Sequence, residues 1–289
     1  MGQDARVVLD DEGKNLVLRK IAGECEKDLK VFKGNLKKQG YISEVKSVLS
    51  EFAQYGVDFE RLDDFMKEVP PESYLHYKLD DIRTIYEKFE EYLSEKYITK
   101  EEMLDVLSDA VPYSDILKGS VVAMDGFTGF TPVQNRLIGE LFSVCEKVMI
   151  TVTMDGRENP YVYEHPYQIF ALGKQMVTSL MKIAGEKKTE IEEPICLFER
   201  PVYRFRDCSE MAFLETELFR YSGAKYNGSC ESVSLHEVRS PGKEAKYVAE
   251  SIRRLVRTKG YRYRDIAVIA SDMNVYADVL EKACASFDI

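Results

Sequence analysis

Between residues 14 and 115, apolar side chains recur every three or four positions, a spacing that predicts amphipathic helices. The predicted helices cover residues 16–32, 41–55, 58–69, 74–97 and 99–110. Gly56 follows the second of them and is typical of a left-handed helix cap, while Thr99 and Glu102 have the spacing of a capping box. The pattern therefore predicts a helical block that contains no strand.

The pattern changes at residue 120. Residues 121–124 (VVAM) form a continuous apolar run that ends on Asp125, which predicts a parallel strand covered on both faces. A Gly- and Pro-rich segment, an amphipathic helix over 133–144 and a second apolar run over 148–152 follow. This order predicts an α/β fold. Asp125 and Asp155 then lie at the carboxyl ends of the two strands, where open parallel sheets bind ligands.

The rest of the chain reads as helices joined by loops and two short strands. Helices are predicted over 167–184, 210–221, 243–258 and 275–285, with Gly260 capping the third and Asp272 the last, and strands over 232–237 and 266–270. A Gly-, Ser- and Asn-rich segment at 222–229 favours a domain boundary.

Composition narrows the functional class. The 289 residues are 45% hydrophobic and 31% charged, with a net charge of −10, which disfavours a uniformly basic nucleic-acid binder. We find no apolar run long enough to span a membrane and no signal peptide, and we expect no membrane partner. The six cysteines are scattered without a C-x-x-C pair, which favours reduced thiols in the cytoplasm over a metal site.

The segment after the first strand resembles a known motif. DGFTGFTPVQ (125–134) is similar to a degenerate Walker B segment of UvrD/Rep-like helicases, D-E-F-Q-D-T-x-P-x-Q. The matching residues are Asp125, Phe127, Pro132 and Gln134. Gly126 stands where that family has its catalytic glutamate, and Thr128-Gly129 replaces Gln-Asp. The particular sequence DGFTGFTP (125–132) resembles the corresponding segment of the AddB (RexB-like) subunits of bacterial AddAB helicase–nucleases. The alternative is a Gly-rich connection in an unrelated α/β domain.

The last quarter of the chain resembles the start of the second motor domain, 2A, of the same helicases. The matching positions are Glu244, Val248, Ala249, Ile252, Gly260, Tyr263 and Asp265 to Ile269. The helical block resembles their 1B insertion. The resemblance thus implies a P-loop-NTPase, RecA-like helicase scaffold. Its expected domains are a 1B-like region (1–117), the rest of the first RecA-like domain (118–228) and the start of a 2A-like domain (229–289).

Little motor chemistry is expected within this chain. It has no G-x-x-x-x-G-K-[ST] loop to cradle phosphates. Asp125 is a weak candidate ligand for Mg²⁺, but Gly126 cannot position the attacking water as a second carboxylate would. We therefore expect no catalytic residue and no activity from this chain alone. ATP, Mg²⁺ and an iron–sulfur cluster are implied only for a longer parent, of which the chain reads as a central fragment.

A basic run is the leading candidate for contact with DNA. Its six cationic residues are Arg253, Arg254, Arg257, Lys259, Arg262 and Arg264. They would bind phosphates without regard to sequence, although a solvated helix face is an equal alternative. A second stripe, usually a solvated face, comprises Lys27, Lys30, Lys33, Lys37 and Lys38. Tyr161, Tyr163 and Tyr167 have the surface for base stacking, but loop packing or a subunit contact is the more ordinary interpretation.

The resemblance implies a role in double-strand break resection and recombinational DNA repair. The expected partners are an AddA-type helicase–nuclease subunit and DNA, single-stranded or at a duplex end. This part would be a DNA-binding scaffold without hydrolysis. Two rivals remain open at this point: a protein-interaction scaffold without DNA affinity, and a truncated active ATPase of the UvrD type.

Overall fold

The computed structural model describes residues 6–36, 38–94 and 96–289. The chain divides into two units, Met1–Cys196 and Leu197–Ile289. The domain limits predicted at 117/118 and 228/229 stay predictions, because one compact unit can hold more than one domain. The first unit contains β1 (Val7–Leu9), α1 (Asp11–Cys25), α2 (Gln39–Tyr55), α3 (Phe59–Glu68), α4 (Tyr74–Leu93), β2 (Tyr97–Thr99), α5 (Glu102–Ala110), β3 (Val121–Met124), α6 (Pro132–Val144), β4 (Lys147–Ile150) and α7 (Ala171–Lys187).

The helical block has its own apolar core, drawn from α1 to α4. Its most deeply buried members are Leu18, Ile21, Ile42, Leu62, Ile85 and Leu93. Burying an aliphatic side chain of this size contributes about 1.5–3 kcal/mol. The predicted cap at Gly56 is confirmed, because its φ of 62° is left-handed and its N–H binds the last carbonyls of α2.

The first helix is shorter than predicted. It ends at Cys25 rather than near residue 32. The reason is a contact with a distant residue: the N–H groups of Lys30, Val31 and Phe32 bind the buried carboxylate of Asp81, on α4, at 2.7–2.8 Å. Because these amides donate to a side chain, they do not donate to the carbonyls of a preceding helical turn, and α1 ends before it reaches them.

The expectation of no strand in the helical block is wrong. The short strand β2 pairs in parallel with β1, with Val7 opposite Tyr97 and Leu9 opposite Thr99. Three residues are too few for an alternating pattern, and the partner strand is some ninety residues away, so sequence periodicity misses the pair. The predicted capping box is confirmed, since Thr99 N–H donates to Glu102 at 2.7 Å and Glu102 N–H donates to Thr99 Oγ1 at 3.2 Å.

The parallel pairing of β3 with β4 is confirmed, but burial on both faces is wrong. The register sets Val121 opposite Lys147 and Met124 opposite Ile150. Val121 is 56% exposed and Met149 is 42% exposed, whereas the alternate residues Val122 and Met124 are half-buried. Successive side chains of a strand point to opposite faces, and within the described residues one face of this sheet stays open.

The second unit contains α8 (Ser209–Glu217), α9 (Pro241–Lys259) and α10 (Met273–Ser286). Helices α9 and α10 pack through Ala245, Ala249 and Ala283. Gly260 (φ 74°) ends α9, and Asp272 accepts from Asn274 N–H at 2.9 Å to cap α10, as predicted.

The strands predicted at 232–237 and 266–270 are wrong for this structure. No strand occurs among residues 197–289, all of which the structure describes. A strand needs a neighbour for its backbone groups, and this unit supplies none to 266–270. Ile269 consequently lies 93% exposed.

Candidate functional site

The carboxyl end of β3 places Asp125 beside the neighbouring strand. The Thr151 hydroxyl, just after β4, donates to Asp125 Oδ1. Parallel pairing brings these two residues to the same edge of the sheet. Asp125 is therefore held in place by Thr151, and one of its two oxygens is already occupied.

Gly126 has a backbone conformation that favours glycine. Its φ is +82°, in the left-handed region, and a Cβ built there would meet no atom within 4 Å. The constraint is thus the backbone and not the space around it. Any other L-residue, glutamate included, costs roughly 1–2 kcal/mol in this conformation. The loop lacks the second carboxylate, and the backbone conformation of Gly126 also disfavours a glutamate at this position.

Gln134, the last matching position of the motif, caps α6. Its Oε1 accepts from Thr131 N–H at 2.9 Å, while Thr131 Oγ1 accepts from Gln134 N–H at 3.4 Å. Pro132 occupies the first turn, where a missing N–H costs nothing. This capping box uses amides that an anion at the helix N-terminus would otherwise bind.

The residues present do not fit a complete metal or cluster site. Mg²⁺ in nucleotide sites takes one or two carboxylates together with substrate phosphates, and iron–sulfur clusters take several thiolates. Across residues 6–36, 38–94 and 96–289, no three His, Cys, Asp or Glu side chains converge to hold a metal. Asp125 alone is at most one ligand. The six cysteines are free thiols, and burial raises the pKa of Cys25.

The carboxyl end of β4 is closed by ion pairs that the sequence did not reveal. Arg157 Nη2 lies 2.7 Å from Asp155 Oδ2, and Lys174 Nζ lies 2.8 Å from Glu158 Oε2. Asp155 and Lys174 are both buried. The Lys174–Glu158 pair holds the loop after β4 against α7, whereas the Arg157–Asp155 pair lies within the loop itself.

Tyrosines of this loop face outward. Tyr161 is 46% exposed and Tyr167 is 79% exposed, with the Tyr167 ring stacked on His165 at 4.9 Å between centroids. Tyr163 is also exposed. The geometry leaves base stacking as a prediction.

The six basic residues of the candidate DNA contact divide into two groups. Arg253 donates to the Phe287 carbonyl at 2.9 Å, and Arg262 makes a two-pronged pair with Asp265 at 2.7 and 2.8 Å. That pairing raises the pKa of Arg262 and lowers the pKa of Asp265. We call these two the tied residues.

The other four are exposed and, among the residues the structure describes, form no ion pair. These free residues are Arg254, Arg257, Lys259 and Arg264. Asp265, one position past the basic run, was the signal that sequence reasoning missed. The N-terminal stripe is exposed at Lys27, Lys33 and Lys38, and Lys30 pairs with Asp80 at 3.0 Å, while Lys37 lies outside the described residues.

The comparisons with known proteins agree with the motif. Residues 1–215 match the sequence model of the family described as ADDB, N-terminal. The chain belongs to the AddB family. This confirms the resemblance stated from the residues around Asp125. An AddB-family relative from Lachnoclostridium phytofermentans is 36% identical over 97% of this chain and 25% of its own length.

Two further relatives extend the comparison. One from Thermoanaerobacter sp. is 33% identical over 96% of this AddB-family chain and 24% of the relative. One from Clostridium perfringens is 29% identical over 100% of this chain and 24% of the relative. All three relatives are named as the B subunit of an ATP-dependent helicase/deoxyribonuclease. The chain thus spans about a quarter of the length of the relatives it matches. No helix in the described part of the chain is long and apolar enough to cross a membrane.

Proposed function

We propose that this chain is a helicase-like, DNA-binding scaffold within the B subunit of an ATP-dependent helicase/deoxyribonuclease. The proposal includes a RecA-like arrangement of its parallel strands and a role in cytoplasmic double-strand break resection and recombinational repair. An AddA-type helicase–nuclease subunit and DNA are the proposed partners. ATP with Mg²⁺ and an iron–sulfur cluster belong to the proposed whole protein and not to this chain.

One observation carries the scaffold part of the proposal. Asp125 occupies the end of β3 where a Walker B carboxylate is expected, and the next residue is a left-handed glycine. Hydrolysis of a nucleotide needs a group that orients the attacking water. Gly126 has no side chain to do so, and its conformation disfavours a glutamate. The loop thus carries the aspartate of the motif without this part of its chemistry.

The DNA part rests on the free residues Arg254, Arg257, Lys259 and Arg264. A cation that already has a protein carboxylate or carbonyl as its partner gains less from a phosphate than one that faces only water. We therefore assign DNA contact to the free residues and not to the tied residues. A pure protein-interaction scaffold is the second candidate, favoured by the net charge of −10 and the open sheet face.

Binding of fluorescent single-stranded DNA by the purified chain tests the proposal. Single strands lose affinity with a log–log salt slope of about −0.7 per phosphate contact. Four contacts alone predict a loss of at least about fiftyfold between about 50 and about 200 mM salt. The Arg254/Arg257→Ala variant, which has two contacts fewer, should lose about sevenfold less affinity than the wild type over the same range and bind more weakly at about 50 mM.

The matched control is Arg253/Arg262→Ala, which removes the same charge from the tied residues. It should keep most of the affinity and the steep salt dependence, with thermal melting reporting any loss of folded protein. Absence of binding at both salt concentrations would favour the protein-interaction scaffold. Equal loss in both variants would mean that net charge alone governs binding and would refute the assignment to the free residues.

A further inference from the structure

The exposed face of α9 carries cations that lie outside the predicted basic run. Lys243 and Lys246, near the start of the helix, are both exposed. The two lysines belong to a series of exposed residues on α9 that follow one another at steps of three or four positions. The series is Lys243, Lys246, Glu250, Arg254 and Arg257. Residues at such steps share one side of a helix. We call the four cations of this series, Lys243, Lys246, Arg254 and Arg257, the α9 stripe.

The opposite side of α9 fixes the orientation of the stripe. Ala245, Ala249 and Ile252 are buried, the two alanines against α10. Because a helix turns 100° per residue, the α9 stripe lies on the side away from this contact. From Lys243 to Arg257 the helix rises roughly 21 Å. The stripe is therefore a linear array that faces away from its packing partner.

The ion pairs of the second unit do not involve the cations of the α9 stripe, so within the residues that the structure describes no carboxylate neutralises their charge by direct contact. Lys282 on α10 pairs with Asp278 at 2.6 Å, and Arg262 pairs with Asp265. No such pair reaches Lys243, Lys246, Arg254 or Arg257 among residues 197–289, all of which the structure describes. Glu250 is the acidic residue placed within the stripe, and it is exposed. An extended polyanion complements such a line better than a single small anion, which one or two cations satisfy.

We propose that the α9 stripe is a track for the phosphodiester backbone of single-stranded DNA, which runs along the helix axis past Lys243 and Lys246. This inference rests on the proposed function and extends its DNA site by two to three helical turns. Contact is to phosphates, so it is independent of base sequence. The negative charge of Glu250 weakens the positive field in the middle of the track.

The test compares binding of an oligothymidylate of about 20 nucleotides by the wild-type chain and by Lys243/Lys246→Ala. The variant should bind about tenfold more weakly at low salt, with a salt slope about 1.4 units shallower. Glu250→Gln should bind about twofold more tightly with an unchanged slope, since it removes repulsion without adding a contact. Lys282→Ala, which removes a paired lysine from the same unit, should bind as the wild type does.

The outcomes separate this inference from the proposed function. If Arg254/Arg257→Ala weakens binding while Lys243/Lys246→Ala matches the wild type in affinity and slope, the DNA site exists but the track does not. If Lys282→Ala weakens binding as much as Lys243/Lys246→Ala, binding follows net charge and the track is refuted. If the wild-type chain binds no DNA, the proposed function fails together with the track. Thermal melting of each variant confirms that it is folded.

Discussion

Asp81→Ala is expected to lower the free energy of unfolding of the first unit by about 3–5 kcal/mol. Asp81 is 1% exposed, and its carboxylate accepts the N–H groups of Lys30, Val31 and Phe32 at 2.7–2.8 Å. Alanine leaves three backbone donors without their acceptor, and one of them, the Phe32 N–H, belongs to a buried hydrogen bond. For a unit of this size the loss corresponds to a fall in Tm of roughly 10 °C, measured by circular dichroism.

The neighbouring Asp80 provides the control. It pairs with Lys30 Nζ at 3.0 Å, but both side chains are well exposed, so the pair is weakened by solvent. Asp80→Ala should change Tm far less than Asp81→Ala. Similar changes in the two variants would show that the Asp81 carboxylate does not hold the segment after α1.

The second large effect is a dependence of stability on pH that originates at Glu90. Burial raises the pKa of Glu90 to about 7, and the nearby charge of Glu102 adds to the shift. The folded state therefore binds a proton more tightly than the unfolded state. The free energy of unfolding is highest below about pH 5, falls as the pH rises to about 7.5, and levels off above; the expected loss is about 1–3 kcal/mol.

Urea unfolding of Glu90→Gln between pH 5 and pH 8 tests this assignment, with the range chosen from the pKa of about 7. A neutral amide removes the titration, so the variant should lose most of the slope and be more stable than wild type at the upper end of the range. Glu91, the exposed neighbour on α4, is the matched control, and Glu91→Gln should keep the slope. A wild-type slope in Glu90→Gln would contradict the prediction.

Sequence reasoning succeeded where the structure is decided within a few residues. The caps at Gly56, Gly260 and Asp272 and the pair Thr99–Glu102 depend on local geometry, and all four were predicted. The pairing of β3 with β4 also followed, because the helix between two apolar runs favours a parallel crossover.

The features that sequence reasoning missed depend on contacts between residues far apart in the sequence or on the backbone conformation of the folded chain. Asp81 is about fifty positions from the amides it binds, so it reads as one more polar residue of an amphipathic helix. The tied state of Arg253 depends on the Phe287 carbonyl, 34 positions away. Gly126 was noted as a missing glutamate, but its left-handed φ, which makes the substitution costly to reverse, is a property of the fold. The segment 266–270 has the composition of a strand, but it forms none because residues 197–289 supply no neighbouring strand to pair with it.

ATP turnover most directly tests the proposal that Asp125 and Gly126 do not form a hydrolytic site. A full-length subunit that carries this segment would be assayed without its partner, with saturating single-stranded DNA, as wild type, Asp125→Asn and Gly126→Glu. The predicted result is the same background rate in all three proteins. A wild-type rate that Asp125→Asn abolishes, or a rate that Gly126→Glu creates, would contradict the proposal and favour a motor site.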